Sequence, residues 1–107
     1  IFGDGTQTRD FIYVSDVVDT CLLSLKDNVI GEFNIGTANE TSILSLYERL
    51  IELSQTEDYR KFEKRRFLEV GRSSLSSKKF KNACGWEPRV NLKDGLKLTF
   101  DYFQKNQ

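Results

Sequence analysis

The run Gly3-Asp4-Gly5-Thr6-Gln7-Thr8-Arg9-Asp10-Phe11 sets an arginine at the very start of a strand, directly behind a flexible glycine turn. A guanidinium at the rim of a sheet sits where the pockets of α/β folds form. Its planar fork suits a bidentate contact with a phosphate. The plainer reading is that Arg9 pairs with Asp10 or another surface acid. A second candidate is Arg65-Arg66-Phe67-Leu68-Glu69, in which Arg66 and Glu69 are three positions apart. A tight turn would bring both to one ligand. An arginine for a phosphate and a carboxylate for ribose hydroxyls suit a nucleotide, and a solvated charged loop is the alternative.

Machinery for catalysis is missing from the pattern. His is absent, which removes the commonest general base near neutral pH and the commonest metal ligand. There is no Gly-x-Gly-x-x-Gly or Gly-x-x-Gly-x-x-Gly loop, hence no visible dinucleotide site. No Tyr is followed by Lys four positions on, as a reductase-type acid/base pair requires. Neither a Cys/His cluster for zinc nor a Walker-type loop is present. The reading therefore assigns no catalytic, cofactor-binding or metal-ligating residue.

A length of 107 residues allows one compact domain, taken as 1–107. Lys plus Arg and Asp plus Glu are 16 each, so no global field draws in nucleic acid or an anionic membrane. The basic stretch from Arg60 to Arg66 is interrupted by Glu63, which argues against a nucleic-acid patch. Two cysteines, Cys21 and Cys84, lie on the apolar sides of helical patterns. They are read as buried thiols of a reducing cytoplasm, since a disulfide framework needs more cysteines in a smaller chain. No apolar run of about 18 residues and no signal peptide are visible. The chain has no Met and opens on Ile1, so the expectation is a fragment, a processed product or a sequence missing its first residues.

The elements that must position these groups alternate between strands and helices, which favours α/β layering. Arg9–Val14 and Glu32–Ile35 read as short strands, with a third around Phe62. Asp16 reads as the N-cap of a helix ending near Asp27 and Asn28, with Val17, Val18, Cys21, Leu22 and Leu25 as its apolar stripe. Ser42 caps a second helix carrying Ile43, Leu46, Tyr47, Leu50 and Ile51. Ser76 or Ser77 caps a third, closed at Cys84 by Gly85. Asn91 caps the last, whose face is Leu92, Leu96, Thr99, Phe100 and Phe103. Gly95 inside that helix costs about 1 kcal/mol against Ala, which implies close approach of a neighbour.

The run GDGTQTRDFIYVSDVVD resembles a segment of the extended short-chain dehydrogenase/reductases, the NAD-dependent nucleotide-sugar epimerases and dehydratases of the UDP-glucose 4-epimerase type. GEFNIGTANETSI is similar to the strand-turn-helix that follows in that family. Arg66-Phe67-Leu68-Glu69 corresponds to its Arg-x-Gly-(Asp/Glu) element, with Leu68 in place of the Gly. Lys79, Gly85-Trp86-Glu87-Pro88 and Leu92-Lys93-Asp94-Gly95-Leu96 match its closing helix, Gly-Trp-x-Pro turn and final helix. The resemblance implies a small partial α/β domain of about three short strands and four helices, the C-terminal substrate-binding part, with no Rossmann domain present. It implies that Arg9 contacts the diphosphate of a sugar nucleotide, Arg66 a second phosphate position and Glu69 the ribose hydroxyls. NAD would be bound by the absent N-terminal domain, which also holds the family's catalytic Tyr and Lys. The implied partners are a nucleotide-diphosphate sugar, bound weakly by this part alone, and the missing Rossmann domain. The competing reading is a stand-alone, non-catalytic module that binds or self-associates.

Overall fold

A computed structural model describes residues 1–26, 29–66 and 70–106. The elements run β1 (Thr8–Arg9), α1 (Val14–Leu23), β2 (Thr41–Ser42), α2 (Ile43–Ser54), α3 (Lys78–Cys84) and α4 (Leu92–Lys105). β1 and β2 pair antiparallel, Thr8 opposite Ser42 and Arg9 opposite Thr41. The four expected helices are present, and the third strand reduces to one parallel bridge between Phe2 and Glu63. Of the expected strand at Arg9–Val14 only Arg9 is paired, and Glu32–Ile35 enters no ladder among the described residues. The second segment spends its groups on α3 instead. The Lys79 ammonium donates to the Glu32 carbonyl at 2.7 Å, and Phe33 packs edge-on against Phe80 at 5.2 Å.

Local chemistry sets most helix ends. The Ser42 hydroxyl accepts from the Ser45 N–H at 3.0 Å, and the Asn91 side chain from the Asp94 N–H at 2.8 Å, so both expected caps form. Ser77 occupies the cap position of α3, but its hydroxyl is used elsewhere: it donates to the Gly36 carbonyl at 2.7 Å and accepts from the Gly36 N–H at 2.8 Å. Gly85 closes α3 in the left-handed region, as its position predicted. Gly95 is buried beside Tyr13 and Val90, but a Cβ there would meet them at 3.4 and 3.5 Å, ordinary contact, so the approach is not so close that it requires glycine.

α1 corrects the reading. Its N-cap is Tyr13, and Asp16 lies within the first turn, 1% exposed. The Asp16 carboxylate accepts from the backbone N–H groups of Arg89 at 3.0 Å and Val90 at 3.1 Å. A carboxylate that faces the interior cannot cap its own helix. This anchor rotates the helix so that Asp16 and Thr20 point inward. Of the expected apolar stripe, Val18, Leu22 and Leu25 point outward, each at least half exposed, and Val17 is exposed as well. Cys21 shares that outward face and is exposed, and Cys84 is half-buried, so neither is the buried thiol expected. α1 closes at Leu23. Leu25 and Lys26 donate to Leu22 and Leu23 in tighter turns, and the expected end at Asp27 and Asn28 falls outside the described residues.

Among the described residues the buried apolar side chains are Phe80 and Trp86, whose rings meet edge-on at 5.8 Å. A radius of gyration of 16.3 Å exceeds the roughly 13 Å of a compact domain of this length. The molecule is a slab 19 Å thick, about two helices deep. Between the 11–14 segment, α2 and α4 lies an open apolar cavity of about 620 Å³ with Phe11, Tyr13, Leu46, Leu50, Leu96 and Phe103 among its walls. Phe103, expected in the face of α4, is accordingly 62% exposed.

Candidate functional site

The first nine residues form the frame of the site. The Asp4 carboxylate accepts from the Thr6 N–H at 3.0 Å and hydroxyl at 2.6 Å, folding the turn. Those bonds, with a smaller contribution from the Arg65 charge, hold its carboxyl below the usual range. Gln7 is buried and donates to the Phe2 carbonyl at 2.9 Å. Gly3 donates to the Glu63 carbonyl and Glu63 to that of Ile1, both at 2.7 Å, which ties the chain before Arg66 to this turn.

Arg9 stands half-buried as the last residue of β1, whereas the sequence reading set it at the start of a strand running on to Val14. Its guanidinium donates to the carbonyls of Thr8 at 2.6 Å and Val70 at 2.7 Å. Arg66 is exposed and stacks its guanidinium 4.4 Å from the centre of the Phe2 ring. Arg66 thus reaches the Phe2 end, and Arg9 the β1 end, of one short segment. Glu69 lies outside the described residues.

Three features of this region are absent from the sequence reading. Arg65 lies along Gly3, its side chain 3.5 Å from where a Gly3 Cβ would stand. Arg72 donates twice to Glu40, at 3.0 and 2.8 Å, and Glu40 also accepts from the Thr8 hydroxyl at 3.1 Å. The Arg72 contact holds the Glu40 carboxyl low, and the same contact raises the Arg72 guanidinium. Four arginines (Arg9, Arg65, Arg66 and Arg72) therefore gather on the 2–9 segment and the 70–72 loop against the acids Asp4 and Glu40. The third feature is Asp10. Its carboxylate accepts from the Thr37 N–H, from the Thr37 hydroxyl at 2.5 Å, and from the N–H groups of Ala38 and Leu75 at 3.1 Å. No spacing rule links residues 10, 37 and 75, so this cluster has no local signal.

Arg60, in the basic stretch, donates to Asp58 at 2.6 and 2.8 Å and lies over the Tyr47 ring at 5.3 Å. It is held within its own loop and does not join the four. Among the described residues no helix is long and apolar enough to cross a membrane, and no cluster of His, Cys, Asp or Glu is placed to hold a metal ion.

The described residues form a thin α/β layer whose arginines stand on a glycine turn and at a strand end. Residues 1–99 match the family model of GDP-mannose 4,6 dehydratase. The chain belongs to that family, the extended short-chain dehydrogenase/reductases that include nucleotide-sugar epimerases and dehydratases. It is 34% identical over 105 residues to the UDP-glucose 4-epimerase of Mycolicibacterium smegmatis, covering 97% of this chain and 34% of that one. Identity is 36% over 114 residues to the dTDP-D-glucose 4,6-dehydratase of Homo sapiens, covering 99% of this chain and 32% of the relative. The crystal structure of UDP-glucose 4-epimerase with UDP-glucose from Thermotoga maritima superposes with a TM-score of 0.91 at 40% identity, over 99% of this chain and 34% of that one. The chain thus spans about a third of the length of these relatives, as a partial, C-terminal-type domain of an α/β fold.

Proposed function

We propose that this chain is the nucleotide-diphosphate-sugar-binding part of an NAD-dependent epimerase or dehydratase and is catalytically incompetent by itself. Arg9 takes the diphosphate, Arg66 a second phosphate position and Glu69 the ribose hydroxyls. The observation that carries this reading is the attachment of Arg9 and Arg66 to opposite ends of one glycine-turn segment. The chain's own residues do not suit NAD. The 10–13 connection from β1 to α1 contains no glycine, so no backbone cradle for a pyrophosphate opens there. Hydride transfer, the reaction that NAD supplies in the parent family, is assigned to parts this chain does not include.

Two charge-assisted arginine contacts contribute roughly 1.5–3 kcal/mol each. Association costs several kcal/mol in lost freedom, about 4 or more. The balance leaves at most about 2 kcal/mol, so binding lies no tighter than the millimolar range and reaches down to none detectable. In NMR titrations with UDP-glucose and dTDP-glucose, the chain is expected to shift resonances only at millimolar ligand. Arg9→Ala is expected to weaken that binding at least about tenfold. Micromolar affinity in calorimetry would overturn the claim of incompetence as a binder alone, and an Arg9→Ala chain that binds like the parent would overturn the site.

A second reading is favoured by one observation, the outward stripe of α1. In the first reading that face docks the part of the parent fold that this chain does not span. In the second, the chain is a stand-alone module that pairs with itself there. Light scattering then shows a mass that rises with concentration, whereas a clean monomer at high concentration rules the second reading out.

A further inference from the structure

Asp10 follows Arg9, yet its carboxylate is committed to two other segments. One is the 36–38 turn, through the Thr37 N–H and hydroxyl and the Ala38 N–H. The other is the 70–75 loop, through the Leu75 N–H. The two segments also bond each other, Ala38 N–H donating to the Leu75 carbonyl at 3.0 Å. The packing is close: a Cβ on Gly36 would lie 2.7 Å from the Asp10 carboxylate and 2.8 Å from Leu75. Ala38 holds a left-handed backbone, φ 61, within this junction. Strain at a non-glycine residue persists where the surroundings over-determine it.

The 70–75 loop is bound along its length by consecutive residues, the two of β1 and Asp10 after it. Arg9 donates to the Val70 carbonyl, the Thr8 N–H donates to the Gly71 carbonyl at 2.8 Å, and the Ser73 N–H donates to the Thr8 hydroxyl at 3.3 Å. Leu75 on Asp10 is the far end of this row. Fixing Leu75 fixes the path of the loop, and the loop presents the Val70 carbonyl that anchors one nitrogen of the Arg9 guanidinium. A guanidinium has five N–H donors in a rigid fork, so anchoring one nitrogen sets the direction of the rest.

We propose that Asp10 is a positioning residue for Arg9: by tying the 36–38 turn to the 70–75 loop, it fixes the carbonyl that aims the Arg9 guanidinium at the diphosphate of a nucleotide. The inference rests on the reading that Arg9 is a phosphate ligand. It adds that selectivity for a diphosphate over a monophosphate depends on a carboxylate that touches neither.

The test uses UDP and UMP as probes, with chemical-shift titration slopes read on the whole chain. The indole N–H resonance of Trp86, the single tryptophan, reports the fold. Asp10→Asn is expected to keep that resonance in place, to lower the slope for UDP about tenfold and to leave UMP within about twofold. Arg9→Ala is expected to show the same selective loss. Should Arg9→Ala leave UDP binding unchanged, the underlying reading fails. A selective loss with Arg9→Ala but not with Asp10→Asn overturns the positioning role alone, as does a parallel fall for UDP and UMP. Where Asp10→Asn does not fold, Thr37→Val serves instead, since it removes one donor to Asp10 and keeps the carboxylate. It is expected to lower UDP binding selectively by about threefold, and no selective loss overturns the proposal.

Discussion

Phe80→Ala is expected to cost about 3–5 kcal/mol and to leave the chain largely unfolded at room temperature. A folded domain of this size holds about 5–15 kcal/mol in reserve. This one belongs at the low end, because among the described residues Phe80 and Trp86 are the buried apolar side chains and a stripe of α1 faces outward. Phe80 is 2% exposed and joins two rings: Phe33 at 5.2 Å with planes at 72°, and Trp86 at 5.8 Å with planes at 65°. Edge-to-face pairs contribute about 0.5–1.5 kcal/mol beyond the area they bury. Truncation therefore removes the ring that holds the 32–35 segment and the 86–88 turn to α3. Trp86 reports the loss directly, and its fluorescence is expected to shift to the red in Phe80→Ala without denaturant. Phe80→Leu fills much of the volume and is expected to stay folded with a lower urea midpoint. A blue-shifted, cooperative Phe80→Ala chain would mean that the stabilising contacts lie elsewhere.

Phe80 also marks what could be read in advance. The helix that bears it, its end at Cys84 and its closure by Gly85 were legible, because caps and helical spacing act within a few residues. The Ser42 and Asn91 caps were legible for the same reason. Arg9 ends the short β1 and does not open a strand through Val14, but its place beside a glycine turn was legible as well. Pairings across long separations were not. Glu32–Ile35 has strand composition, yet Lys79 and Phe80 take its carbonyl and its ring, and no ladder forms among the described residues. Asp10 looked like a partner for Arg9, while its carboxylate serves Thr37, Ala38 and Leu75. The hydrophobic stripe of α1 was visible, but which side of the helix faces inward was decided by Asp16, whose partners lie 73 and 74 residues away.

Asp16 carries the second large effect. Both of its oxygens are used, Oδ1 by the Arg89 N–H and Oδ2 by the Val90 N–H, and the residue is 1% exposed. Asp16→Ala leaves two backbone donors without an acceptor, at about 1–3 kcal/mol each, and is expected to lose roughly 2–6 kcal/mol. Asp16→Asn keeps the shape and one oxygen but turns an NH₂ toward a backbone N–H, so a loss of about 1–3 kcal/mol is expected. The order parent, Asn, Ala in urea midpoints is the signature of a clamp made by two acceptors. A role limited to shape predicts Asn equal to the parent, and a role at the helix start predicts that another cap restores it. The clamp also bears on α4. Arg89 and Val90 lead into Asn91, the cap of α4, and the same helix sets Gly95 beside Tyr13, the residue that opens α1. A Cβ at Gly95 would meet Tyr13 at 3.4 Å and Val90 at 3.5 Å, ordinary van der Waals contact, so an alanine fits there. Gly95→Ala is expected to raise stability by about 0.4–1 kcal/mol, because it narrows the unfolded ensemble and suits a helix interior. In the Asp16→Ala background the same gain is expected, since it arises in the backbone and not in a contact that the clamp maintains. A gain lost in that background would show that the clamp sets the fit around Gly95.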